Sequence, residues 1–293
     1  MSGLNFLNKL LDGVDVEWLS LGELGDFIRG NGLQKKDFVE SGFPAIHYGQ
    51  IYTRYGLSAD KTFTYVLPEL ANKLRKAQKN DLLLATTSEN DEDVVKPLAW
   101  LGDNVAISGD MMLFRHEQNV KYLAYFFQSE IFQTQKMKYI TGAKVRRVSS
   151  GDLSKIKIPI PCSNNPEKSL AIQSEIVRIL DKFTALTAEL TAELNMRKKQ
   201  YNYYRDQLFS FKEGEVEWKA LGEIGEVRMC KRILKSQTSS EGEIPFYKIG
   251  TFGKEPDSYI SRKLFNEFKE KYSYPKVGEV LISASGTIGR TVI

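Results

Sequence analysis

Ten residues, Thr141-Gly142-Ala143-Lys144-Val145-Arg146-Arg147-Val148-Ser149-Ser150, bring together three cations, three hydroxyls and a glycine. Reading a nucleic acid needs cations for phosphates, polar groups for base edges, and backbone that can come close. The Arg146 and Arg147 forks match guanine N7 and O6, yet they match a phosphate equally well. Base contact, backbone contact and a merely solvated basic turn therefore all stay open for this stretch, in which Thr141, Lys144, Arg146 and Arg147 are the candidate DNA contacts. A second cluster, Tyr48, Gln50, Tyr52, Arg54 and Tyr55, follows a strand predicted at Ala45 to His47. A glutamine amide pairs with adenine and a tyrosine reaches phosphate, while alternating aromatics equally describe a half-buried strand. Thr86, Thr87, Ser88 and Asn90, which follow the apolar run at Leu82, make a third polar set.

Other combinations imitate catalytic chemistry without completing it. Only two histidines are present, His47 and His116, and nothing in the spacing sets either beside a nucleophile. The glycine pairs Gly22/Gly25, Gly222/Gly225 and Gly286/Gly289 complete neither a dinucleotide fingerprint nor a phosphate loop. Pro256-Asp257 followed by Glu267-Phe268-Lys269 has the spacing of a metal-dependent nuclease, in which two carboxylates hold Mg²⁺. Glu267 sits in a charged, helix-prone stretch, and Phe63 stands where the first copy of the repeat described below would need its aspartate, so a chance match is preferred. The run Glu89-Asn90-Asp91-Glu92-Asp93 lacks the glycine and terminal glutamate of a calcium loop and reads as solvated. No metal site is expected. Cys162 and Cys230 are too far apart for a local zinc or redox motif, which suggests reduced thiols in a cytoplasmic protein.

The elements that must position these residues are mixed. Leu82 to Thr87 and Ile156 to Ile160 are short apolar runs bounded by turn residues, as buried strands are, whereas Val120, Leu123, Ala124, Phe127 and Ile131 have helical spacing. Residues 1–163 therefore read as an α+β, strand-rich domain. Asn165-Pro166 supplies a cap and a first-turn proline for residues 164–212. There apolar residues recur at Ile172, Ile176, Ile179, Phe183, Leu186, Leu190, Leu194, Tyr201, Tyr204 and Leu208. Steps of three and four with charges between them predict a coiled-coil helix of about 40 residues, or roughly 60 Å, whose stripe needs another long helix. Near the start, Leu4, Phe6, Leu7, Leu10 and Leu11 predict a short amphipathic helix rather than an export signal. Apolar residues at 42% and charged residues at 27% exclude disorder and leave no room for a membrane span. A net charge of +4 is too small to identify a partner by itself.

The chain also repeats itself. Val16-Glu17-Trp18-Leu19-Ser20-Leu21-Gly22-Glu23-Leu24-Gly25 recurs as Val216-Glu217-Trp218-Lys219-Ala220-Leu221-Gly222-Glu223-Ile224-Gly225, an offset of 200 residues. Pro44 to Ile51 is echoed by Pro245 to Phe252, and Asp81 to Thr86 by Glu279 to Ala284. A period that long implies duplication of a domain with its connector, not a solenoid. Within 293 residues the second copy, 213–293, proceeds only as far as about residue 95 of the first, through natural truncation or because the sequence is a fragment.

Together these motifs resemble the target-recognition domain of type I restriction specificity subunits. The resemblance runs from Trp18-(x)2-Leu21-Gly22-Glu23 through Asp81-Leu82-Leu83, Ala106-Ile107-Ser108, Tyr122-Leu123-Ala124-Tyr125-Phe126 and Thr141-Gly142-(x)3-Arg146-Arg147-Val148. It continues to the exit Ile156-Lys157-Ile158-Pro159-Ile160-Pro161 and a spacer beginning Gln173-Ser174-Glu175-Ile176. The spacer and its flanks look most like the type IC subgroup. The resemblance implies a non-catalytic subunit that binds double-stranded DNA, each recognition domain reading half of a split site. It implies methyltransferase subunits carrying S-adenosylmethionine, and restriction/translocase subunits using ATP and Mg²⁺, with no cofactor in this chain. Since the antiparallel partner of the spacer is missing, a homodimer through the spacer is a further expectation. A coiled-coil scaffold that binds protein and a free-standing nuclease are the alternatives.

Overall fold

The computed structural model describes residues 13–286 and 288–293. The amphipathic helix expected near Leu4 to Leu11 lies outside them. One compact unit ends at Tyr201 and a second begins at Asn202.

In chain order the first unit has β1 (Val16–Ser20), α1 (Leu21–Leu24), β2 (Gly25–Arg29), β3 (Phe43–Ile46), α2 (Tyr48–Thr53), β4 (Ser58–Ala59), β5 (Thr64–Val66), α3 (Pro68–Ala71), β6 (Lys76–Ala77), β7 (Leu82–Ala85), β8 (Thr87–Ser88) and β9 (Lys96–Trp100). It continues with β10 (Val105–Ile107), β11 (Met111–His116), α4 (Val120–Phe127), α5 (Glu130–Met137), β12 (Arg146–Arg147), α6 (Ser150–Leu153) and β13 (Lys157–Pro161), and then the long helix α7 (Pro166–Leu208) begins. The helix expected across Val120 to Ile131 is in fact two. Ser129 interrupts it, because its hydroxyl accepts from Phe132 N at 3.3 Å and caps α5.

A five-stranded sheet, ordered β2-β11-β7-β9-β4, forms the centre. Strand β7 is apolar without alternation because both of its faces are covered. Leu82 and Leu84 pack with Phe114, Leu123, Phe127 and Phe132 beneath α4 and α5, whereas Leu83 and Ala85 pack with Ile46, Ile51, Val105 and Ile107. That second layer is a four-stranded sheet, β5-β3-β10-β6, whose outer face buries Leu33, Ala45, Val66 and Ala71. Strand β13 returns to pair with β1, Trp18 opposite Pro159, which closes the unit where the arm leaves. The result is the α+β, strand-rich fold that the apolar runs predict.

The second unit contains α8 (Leu221–Ile224), β14 (Ile244–Pro245), β15 (Tyr259–Ile260), α9 (Arg262–Lys271), β16 (Leu281–Ile282) and β17 (Thr291–Val292). Its geometry repeats the first unit's at matching turns and in one strand pair. Phe43↔Val66 and Pro44↔Tyr65 in β3/β5 become Ile244↔Ile260 and Pro245↔Tyr259 in β14/β15. Val39 N donates to Tyr65 O at 2.9 Å, as Ser239 N does to Tyr259 O at 2.9 Å. The same bracket precedes both copies of β7: Gln78 N to Asp81 Oδ2 at 2.8 Å, and Lys276 N to Glu279 Oε2 at 2.9 Å. The sequence repeat is thus a repeat of hydrogen-bonded turns and strand register.

Candidate nucleic-acid interface

Most of the candidates are delivered to one end of the five-stranded sheet. Ala85, the last residue of β7, lies opposite Met111 at the start of β11 and Lys96 at the start of β9, and Arg29 at the end of β2 lies opposite Met112. Strands β3 and β10 are parallel, with Ile46 opposite Ile107, and reach the same end, where Thr86 N donates to Asp110 O at 3.0 Å. Loops 30–36, 86–95 and 108–110 and the start of α2 therefore share one rim. Onto it folds the basic stretch. Thr141 and Arg147 exchange two backbone hydrogen bonds of 2.9 Å, and β12 pairs with β8 so that Arg146 faces Ser88 and Arg147 faces Thr87. Gly142 makes this hairpin possible: at φ +91° a Cβ would sit 2.1 Å from Val145 O.

The acidic run is largely exposed, as a solvated loop is, and its backbone carbonyls and Asp91 also support this hairpin. Lys136 from α5 is fully buried and donates to the carbonyls of Glu92 and Val94, both at 2.9 Å. Burial lowers its pKa to about 8, against the opposing pull of Asp93, Asp91 and Glu92. The Tyr52 hydroxyl lies within 3.2 Å of the carbonyls of Ala85, Thr87 and Asp93, and burial pushes its pKa up. Arg146 Nε is 2.8 Å from Asp91 Oδ1, an ion pair without hydrogen-bond alignment, and its Nη1 donates to Gly142 O at 2.5 Å. Val95 closes the loop at φ +68°, a costly conformation for a β-branched residue.

This arrangement divides the sequence candidates. Lys144 and Arg147 are exposed, with no acidic partner among the described residues, while Arg146 is engaged in holding the hairpin. Asn90 is exposed and braces Asp93 through Nδ2 to Oδ2 at 2.9 Å, and Ser88 accepts from Asn90 N at 3.3 Å. Thr86 and Thr87 are buried, Thr86 donating to Asp110 O at 3.0 Å. The aromatic and amide cluster is a helical turn, α2, rather than a strand. Gln50 is buried and its amide is consumed: Oε1 accepts from His47 N at 2.9 Å and Nε2 reaches Thr64 Oγ1 at 3.2 Å. Tyr55 is also buried, its ring 5.0 Å from that of Phe63, and burial raises its hydroxyl pKa. Arg54 is exposed over the Phe63 ring at 5.7 Å. Tyr48 is half-buried against His47 and its backbone N donates to Ser108 Oγ at 3.0 Å. Lys136 was not singled out from the sequence, since a lone lysine in an amphipathic helix reads as solvated.

The catalytic imitations are occupied elsewhere. Asp257 is paired with Lys248 at 3.0 Å, which holds its carboxyl below the usual range, and Glu267 with Lys271 at 3.2 Å. Among the described residues no three His, Cys, Asp or Glu side chains are disposed to hold a metal, and no helix is long and apolar enough to cross a membrane.

The arm α7 starts as predicted, with Asn165 Oδ1 accepting from Lys168 N at 3.1 Å ahead of Pro166. The face it lays on its own unit consists of Ser169, Gln173 and Val177, with Ile176 packed alongside. Gln173 accepts from Asn119 N at 3.0 Å and donates to Gln118 Oε1 at 2.8 Å and to Ser169 Oγ at 3.0 Å. Lys121 pairs with Asp181 at 2.5 Å, and Tyr125 donates to the same carboxylate at 2.8 Å. Ile172 and Ile179 are half-buried. Beyond them Phe183, Leu186, Leu190, Leu194, Tyr201, Tyr204 and Leu208 are between 49% and 74% exposed, an apolar stripe open to solvent.

The model of the type I restriction modification DNA specificity domain matches residues 13–197 and 213–293. A protein of Haemophilus influenzae described as a type I restriction enzyme specificity subunit is 38% identical across 98% of this chain and 70% of its own. The Escherichia coli EcoR124I/EcoR124II specificity subunit is 45% identical across 86% of this chain, which spans 57% of that protein. Among solved structures, the type I S subunit of M. genitalium is 16% identical, with a TM-score of 0.49 over 96% of this chain and 69% of that one. With the domain model matching both copies of its repeat, the chain belongs to the family of type I restriction-modification specificity subunits.

Proposed function

We propose that this chain is a non-catalytic base-reading subunit of a type I restriction-modification system, of the type IC kind, and that it meets duplex DNA with the sheet end that carries the 141–147 hairpin. The observation behind this reading is the pairing of β12 with β8, which sets the exposed Lys144 and Arg147 on a rim braced by Lys136, Tyr52 and Arg146. Lys144 and Arg147 address the DNA, and Arg146 shapes the hairpin that presents them. The reading predicts that Lys144→Ala and Arg147→Ala each weaken duplex binding and reduce its salt slope by about 1. Titration of specific and random duplexes at several salt concentrations checks this. No change in either variant would remove the hairpin from the interface.

The exposed stripe of α7 favours a helical partner. We assign it to the methyltransferase subunit, which would carry S-adenosylmethionine and link the chain to ATP- and Mg²⁺-dependent restriction/translocase subunits in the cytoplasm. A second copy of this chain is the alternative occupant, giving a homodimer with a symmetric split target. Sedimentation alone and with the methyltransferase subunit separates the two, and a monomer in both would overturn both.

A further inference from the structure

The two copies of the recognition unit differ in charge at one equivalent loop. After the repeated Gly25/Gly225, the register is held by the 3₁₀ turns at Lys35–Asp37 and Lys235–Gln237, each braced by a side chain: Gln34 N to Asp37 Oδ2 at 2.8 Å, and Leu234 N to Gln237 Oε1 at 2.9 Å. Within that frame Asn31 and Gly32 of the first unit are replaced by Lys231 and Arg232, and Lys35 is matched by Lys235. Asn31 has a local task, its amide bridging Lys73 O at 3.0 Å and Arg75 N at 2.6 Å, and Gly32 contributes no side chain. The replacements make no such backbone bridge among the described residues. Lys231 lies over the Tyr272 ring at 4.8 Å, and Lys231, Arg232 and Lys235 are exposed with no carboxylate partner among the described residues.

Exposure here is a property of the position. In the first unit, where strands β9 to β13 complete the sheets, Asn31, Gly32 and Lys35 are exposed as well. Their loop leaves the end of β2 at the rim that carries the 141–147 hairpin, with Arg29 Nε donating to Gly109 O at 3.0 Å and Gly30 N to Met111 O at 2.9 Å. Three exposed cations at the equivalent loop of the second unit match the repeated negative charge of a nucleic-acid backbone.

We infer that Lys231, Arg232 and Lys235 are a phosphate-binding loop by which the second unit grips the DNA backbone without reading sequence. This rests on the DNA-binding reading above. The full chain is titrated with a duplex carrying its target and with an unrelated duplex, between roughly 0.05 and 0.3 M salt. Lys231→Ala/Arg232→Ala is expected to lower the slope of log K against log salt by about 2 and to weaken both duplexes alike, by about tenfold or more near 0.1 M salt. Lys212→Ala/Lys263→Ala, which removes two exposed cations of the same unit that are not part of the loop, should leave the slope within about 0.5 of the wild type. Lys231→Asn/Arg232→Ser keeps a polar loop and should behave as the alanine pair does, so that misfolding in one variant does not mimic the effect. If the wild-type chain binds DNA and the loop variants keep its slope, or weaken only the target duplex, the phosphate loop is refuted while the DNA-binding reading stands. If the wild-type chain binds neither duplex, both fall.

Discussion

The two halves of the arm α7 have the same apolar period and opposite surroundings. From Ser169 to Asp181 the helix is docked on its own recognition unit, by Val177 and Ile176 within the core and by a polar set centred on Gln173 and Asp181. From Phe183 to Leu208 the period continues, but the side chains face outward beside a shallow groove of about 670 Å³ between Tyr125 and the helix. Hydrophobic spacing alone therefore does not define an interface. The docked half adds hydrogen-bonding groups that only one geometry satisfies, and the distal half keeps an apolar seam that any complementary helix can cover.

The largest effect should come from putting a charge in the docked half. Val177→Asp, at a position 7% exposed within the apolar core, should destabilise the first unit by about 3 kcal/mol or more, because it buries a carboxylate among apolar side chains. Urea unfolding followed through Trp100, which is 2% exposed, reports on this unit. An unchanged midpoint would mean that the arm is not docked in solution.

Next comes the support beneath the dock. His116 Nδ1 accepts from Gln118 N at 3.1 Å, and Gln118 in turn accepts from Gln173. Burial lowers the His116 pKa from 6.5 to about 4, so the fold favours the neutral ring. The stability this contributes, at most about 3 kcal/mol, is present above pH 6.5 and is lost as pH falls from there towards about 4. In His116→Asn, whose carboxamide oxygen can replace Nδ1 as acceptor, that part of the pH dependence should flatten. If it persists, another group is titrating.

How much of this was legible in the sequence follows from where each partner lies. The period of α7, the strand at Leu82 and the duplication are carried by neighbouring residues, and the structure has all three. Which part of the stripe is docked depends on Gln118, Lys121 and Tyr125, more than 50 positions away from their partners on the helix. The same applies to the hairpin: its cations were visible, but the pairing of Arg146 with Ser88 joins segments 58 residues apart. Gln50 illustrates the opposite failure. Its residue type suits a base, yet its position, three residues after His47, suits a helix cap, and local hydrogen bonding claims it.

A smaller loss is expected from Gln173→Leu, which keeps the volume but strands Asn119 N and Gln118. We expect about 1–3 kcal/mol. Asp181→Asn should cost under about 1 kcal/mol, because the Lys121 pair is partly open to solvent, at 23% and 40% side-chain exposure, and is screened. Burial pushes the Asp181 carboxyl up, but the hydrogen bonds from Lys121 and Tyr125 outweigh it and leave the pKa lowered. The contribution of this carboxylate is therefore present above its unfolded pKa near 4 and disappears as pH falls below it. That acid limb should be missing from Asp181→Asn and intact in His116→Asn, so the two titrations can be separated in one series of unfolding curves.

The smallest expected change in stability belongs to the distal half. Leu190→Asp combined with Leu194→Asp alters residues that are 56% and 53% exposed, and should shift unfolding of the first unit by less than about 0.5 kcal/mol. The same pair places two carboxylates on the seam that a partner helix must dry, where an unpaired charge costs several kcal/mol. Binding to the methyltransferase subunit, or self-association if that is the true occupant, should therefore fall by about 100-fold or more while the urea midpoint stays in place. A midpoint displaced as far as in Gln173→Leu would show that the distal seam is packed on its own chain in solution, and the contrast between the two halves of α7 would vanish.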